Sequence, residues 1–154
     1  MVYGIIDSKN HKYYTYLSNI FRTINNAQNH YNWLITDCEC CPHTPQFEQL
    51  LGGEYCWLTG EELSAMIAED DFQWIWAVIA GFEKDIPLSD VLKYPLPSAQ
   101  DYDGYYKHPV HLQHPLASIE IVPSDSSWTL ILSKNKDIVE DYLTAYPQCQ
   151  ELGR

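Results

Sequence analysis

The stretch FQWIWAVIAGF, residues 72–82, contains one polar side chain, Gln73, among aromatic, β-branched and small apolar residues. It is far shorter than the roughly 20 apolar residues that span a bilayer. From Trp74 onward its continuous apolar character is that of a strand buried on both faces, so it is read as the centre of a sheet. Such a strand needs a neighbour on each side and cover on each face, and the rest of the chain is read for both.

On its N-terminal side, Thr59 and Glu62 stand in the Ser/Thr-x-x-Glu relation of a capping box. Leu63, Met66 and Ile67 follow at helical spacing. Further back, FEQLL and EYCWL flank Gly52 and Gly53, as the arms of a hairpin or a short helix followed by a strand. YNWLIT, residues 31–36, reads as a strand running into the cluster CECCPH. Tyr13, Tyr16, Leu17, Ile20, Phe21 and Ile24 form one apolar helical face, on a helix begun near Ser8 or Asn10 and ended at Asn25 and Asn26. VYGII is a first strand.

On the C-terminal side a short helix around Ser89–Lys93 is stopped by Pro95. From Pro95 to Pro115 no period appears, and a loop of that length is usually functional or mobile. SIEIV and WTLIL alternate and are joined by PSDSS, a hairpin. Ile138, Tyr142 and Tyr146 share one face of a last helix, ended by Pro147. The expected fold is a single α+β domain over residues 1–154, with a largely antiparallel sheet packed against helices.

Composition agrees with a globular chain: of 154 residues, 45% are hydrophobic and 19% charged. The N-terminus lacks the basic start and long apolar segment of a secretory signal, which gives the expectation of a cytoplasmic protein. The formal charge of −12 is concentrated in residues 37–106, where fourteen acids face only Lys84 and Lys93. Such a field repels nucleic acid and membrane phosphates and accelerates encounter with a basic partner. Acids of this kind also serve simply as solvated faces.

Five cysteines cannot pair completely, and a reducing compartment opposes disulfides. Zinc requires converging thiolate and imidazole ligands. Cys38 and Cys41 supply one Cys-x-x-Cys pair, with His43 and Cys56 (or Cys40) to complete a set, so zinc is the alternative to a protein without cofactor. Pro42 and Pro45 remove the helix that a thioredoxin-like motif would open. His108, His111 and His114 recur at intervals of three, but Pro109 and Pro115 oppose a helix that would gather them, and they read as an exposed polar loop. DYDG, residues 101–104, lacks the later glutamate of a calcium loop. There is no Gly-rich phosphate loop, nucleophile elbow or His-Glu-x-x-His motif. No enzyme signature results, and a small hydrolase assembled from distant residues is the least favoured reading.

What remains is acid interleaved with aromatic residues. Glu61, Glu62, Glu69, Asp70 and Asp71 precede the central strand, and Asp101, Tyr102, Asp103, Tyr105 and Tyr106 lie in the long loop. Tyrosine offers contact area at low entropic cost and carboxylates pair with Lys or Arg across an interface, so these ten are the candidate partner-binding residues.

WLTGEEL, Trp57–Leu63, followed by WIWAVIAGF and the late hairpin and helix, resembles small acidic bacterial proteins of uncharacterised families. Some families of that kind are immunity proteins, which bind and neutralise a partner toxin in the cytoplasm. The resemblance implies binding of a basic protein, such as a nuclease toxin, and carries no catalytic residue over.

Overall fold

The computed structural model describes residues 1–153. Its element order is β1 (Tyr3–Asp7), α1 (Leu17–Thr23), a 3-10 turn (Ala27–His30), β2 (Tyr31–Cys40), α2 (Pro45–Leu51), β3 (Tyr55–Thr59), α3 (Gly60–Glu69), β4 (Trp74–Glu83), α4 (Leu88–Val91), a 3-10 turn (Gly104–Tyr106), β5 (Ile119–Ser124), β6 (Trp128–Ser133), α5 (Lys136–Ala145) and β7 (Gln150–Glu151). The strands form one sheet in the order β3-β2-β4-β5-β6-β1-β7, with every neighbouring pair antiparallel. The expected α+β architecture is the one observed.

β4 lies inside the sheet between β2 and β5, and its side chains alternate between two separate cores. Ala77 and Ile79 point to the face covered by α1, α3 and α5, where Leu17, Ile20, Leu63, Met66, Ile138 and Tyr142 pack. Val78, Ala80 and Phe82 point to the opposite face, covered by residues 84–118. This is why the run lacks polar positions: each face of the pleat meets an apolar layer. Gly81 is required by packing, since a Cβ there would lie 2.6 Å from Ile119 and 3.0 Å from the Trp33 ring.

The capping box forms as expected, with the Glu62 amide donating to Thr59 Oγ1 at 3.0 Å and the Thr59 amide to Glu62 Oε1 at 3.1 Å. The late hairpin and last helix also match, and the turn uses left-handed Asp125 and Ser126. Elsewhere the local pattern yields to tertiary pairing. Helix α1 starts only at Leu17, because residues before it pair with the start of β4: Thr15 and Trp74 exchange backbone hydrogen bonds at 3.2 and 2.9 Å. FEQLL is helix α2, with Pro45 in its first turn, so EYCWL pairs with β2 instead of with it. β2 continues through the cysteines to Cys40, with a break in register around Glu39. β7 had no apolar pattern to announce it.

The segment from Pro95 to Pro115 is pinned to the sheet. Thr36 Oγ1 donates to the Pro97 carbonyl at 2.8 Å, the Ala99 amide to Asp37 Oδ2 at 2.7 Å, and Ser98 and Gln113 hold each other twice. Its anchor is Glu120, fully buried on β5, which accepts from Tyr105 Oη at 2.7 Å and from the amides of Gln113 and His114 at 3.0 and 2.9 Å. Burial raises the Glu120 pKa from its ordinary value, and those three donors act against it. His114 is buried rather than exposed; its ring meets Phe82 and Tyr94 edge-on and Nε2 donates to the Val91 carbonyl at 2.9 Å.

Candidate functional site

The four expected zinc ligands are not brought together. Strand alternation turns Cys38 and Cys40 to the same side, against the helix-covered core, with Cys56 buried across on β3, while Cys41 follows the strand and is exposed. His43 turns away to Asp70, its Nδ1 lying 2.7 Å from Oδ1. Among the described residues no group of three or more His, Cys, Asp or Glu side chains is arranged to hold a metal ion. The close pair is Cys38 and Cys40, with sulfurs 3.2 Å apart. Cys38 donates, which lowers the Cys40 pKa and, together with burial, raises that of Cys38.

The ten acidic and aromatic residues divide between two faces of the sheet. Glu61, Glu62, Glu69, Asp70 and Asp71 belong to α3 and its exit, on the helix-covered side; Asp101–Tyr106 cover the other side. The sheet itself separates them, so they do not form one continuous surface. Two of the ten are buried: Tyr105 donates to Glu120, and Asp70 accepts from the amides of His43 and Thr44 at 2.9 and 3.1 Å. Asp103 is paired with Lys107 at 2.9 Å, Glu61 with Lys84 at 2.7 Å, and Asp71 accepts from Ser18 at 2.6 Å. Tyr102 meets Tyr105 edge-on, and exposed Tyr106 accepts from Trp128 Nε1 at 3.2 Å.

A different gathering is visible once charge is placed on the fold. Between Arg22 and Lys84 the chain has no Lys or Arg and ten acids. That interval builds β2, α2, β3, α3 and β4, which is one side of the molecule ending at the β3 edge of the sheet. Glu48, Glu54, Glu61, Glu62 and Glu69 are exposed there, beside Leu50 and Tyr55, which are 42% and 36% exposed. The charge block was readable in the sequence; that Tyr55 and Trp57 would stand on an outer strand was not, because edge position is a property of sheet order.

A further carboxylate, fully buried, lies on the helix-covered face. Asp7, at the end of β1, accepts from Tyr142 Oη at 2.6 Å, Asn10 Nδ2 at 2.8 Å and Tyr14 Oη at 3.0 Å, and His11 Nε2 lies 3.1 Å from Oδ2. Burial raises its pKa, but the hydrogen bonds from Tyr142, Asn10 and Tyr14 and the nearby His11 outweigh it, so the carboxyl sits below its ordinary value. His11, Tyr14 and Tyr142 line an open cavity of about 180 Å³ with Tyr13, Tyr16 and Asn19. The hydroxyls of Thr15 and Thr129 are bonded to each other at 2.5 Å, and burial pushes the nearby Cys149 thiol up to about 12. These groups tie β1, α5 and the N-terminal segment together.

No helix among the described residues is long and apolar enough to cross a membrane. No protein-family model, curated protein or solved structure matches the chain.

Proposed function

We propose that this protein is a binding module for a basic protein partner, and that the partner is a toxin of the kind immunity proteins neutralise. The reading is carried by one observation: an interval of ten acids without a single Lys or Arg folds into one side of the molecule. Lys84, just after that interval, is the cation paired with Glu61 at its margin. A one-signed surface steers an oppositely charged partner, and exposed Leu50 together with Tyr55 on the β3 edge that bounds it supplies apolar contact. The docking surface is thus the acidic side, with Glu61, Glu62 and Glu69 in it; Asp101, Asp103 and Tyr106 lie on the other face, outside it.

The test places a photo-crosslinking amino acid at Leu50 or Glu54, and as controls at Asp101 or Glu140, in cells of the source organism. Adducts to one strongly basic protein from the first two positions alone are expected. Growth arrest by that protein, relieved by co-expression of this chain, would establish the toxin assignment. The same adducts from all four positions, or only acidic ones, would refute the reading.

A further inference from the structure

The sheet has two edges. One is β7, two residues long; the other is β3, Tyr55–Thr59, with the sequence YCWLT and neither a charge nor a proline within it. Edge strands are normally shortened, bulged, charged or covered, because free backbone groups pair with other chains. β3 has no register break against β2 and no charge or proline of its own.

The register shows which of its groups are free. The Thr59 amide donates to the Glu62 side chain in the capping box. It is therefore turned away from Asn32, its partner position on β2. In an antiparallel pair such outward positions alternate, so the amides and carbonyls of Tyr55 and Trp57 also face outward, while Cys56 and Leu58 are bonded to β2. Among the described residues, neither Tyr55 nor Trp57 makes a backbone hydrogen bond outside the regular ladders. Side chains alternate as well: Cys56 and Leu58 enter the helix-covered core, and Tyr55 and half-buried Trp57 lie on the other face of the strand.

We propose that β3 receives an extended, basic segment of the partner as an added strand. This rests on the binding role proposed above and names how the partner is held. Main-chain bonds to Tyr55 and Trp57 supply register, and alternate side chains of the guest supply specificity. The occupant is fixed by charge. Exposed Glu54 and Glu62 flank the strand at its two ends, with Glu61 and Glu48 close in sequence. A second copy pairing antiparallel about Trp57 would lay its Glu54 against Gly60 and Glu61 of the first, placing like charges together at both ends. A guest strand rich in Lys or Arg would instead meet opposite charge at both.

The test is amide hydrogen exchange on the full chain with three probes: a blocked peptide alternating Lys and Val, its Glu counterpart, and a version of the Lys peptide interrupted by prolines. The proposal expects the Lys–Val peptide alone to slow exchange at Tyr55 and Trp57, by about tenfold or more. Tyr55→Pro, which removes one outward donor at an exposed edge position where proline is tolerated, should weaken that peptide's binding. Equal binding of the two Lys peptides without protection of β3, or unchanged binding by Tyr55→Pro, would overturn strand addition and leave the acidic-surface reading standing. Binding of neither Lys peptide would overturn both.

Discussion

The Thr59 amide is bound by the Glu62 side chain and not by β2, and this bond does two jobs. It starts α3, and with the β2–β3 register it identifies which backbone groups of β3 point away from the sheet. The strongest local signal in the sequence thus governs the least protected part of the fold.

Thr59→Ala removes the side-chain acceptor for the Glu62 amide and should cost about 1 kcal/mol of stability, the usual loss at an N-cap. Urea unfolding of the variant and the parent measures the difference. A change near zero would mean that the helix start is held by packing of Gly60 and Leu63 alone.

Glu120→Ala leaves the buried His114 amide, the part-buried Gln113 amide and the buried Tyr105 hydroxyl without an acceptor. Each orphaned donor costs roughly 1–3 kcal/mol, so a loss of about 3 kcal/mol or more is expected after some relaxation. The loss should be accompanied by faster amide exchange between Ala99 and Ala117. Unchanged exchange there would show that Glu120 is not the anchor of the segment.

Asp7→Asn tests the buried carboxylate at the end of β1 through pH. The folded-state pKa of Asp7 lies below its unfolded value, so its contribution to stability is fully present above about pH 4 and is lost as the pH falls through the folded value. The variant should be less stable than the parent at neutral pH, and the gap should close in that acidic window. A gap independent of pH would place the effect in packing around Tyr142 and not in the charge.

The thiols should differ in reactivity at mildly alkaline pH. Exposed Cys41 and the Cys40 thiol, lowered by the bond from Cys38, should alkylate first; Cys56 and Cys149, pushed up by burial to about 11 and about 12, should alkylate last. Peptide mapping after timed iodoacetamide treatment gives the order directly. Modification of Cys56 at the rate of Cys40 would contradict it.

Elements whose signals are local were legible in the sequence: the capping box at Thr59 and Glu62, the doubly buried β4, the hairpin around Asp125, and the last helix. Misreadings came where distant residues decide. The aromatic spacing from Tyr13 suggests a helix, yet Thr15 pairs with Trp74 and Tyr14 reaches Asp7. CECCPH suggests a ligand cluster, yet β2 extends into it as far as Cys40 and sets Cys38 beside Cys40 by strand alternation. The acidic block was visible, but its division by the sheet was not, because Glu61 and Asp101 fall on opposite faces only once β4 lies between them.

The most direct measurement is the low-salt association rate of the captured basic partner with two double charge reversals, Glu48→Lys/Glu54→Lys on the β3 side and Asp101→Lys/Asp103→Lys on the other face. If the acidic side docks the partner, the first pair slows association about tenfold or more and the second changes it by less than about twofold. Slowing confined to the second pair would contradict that placement and move the interface to the opposite face of the sheet.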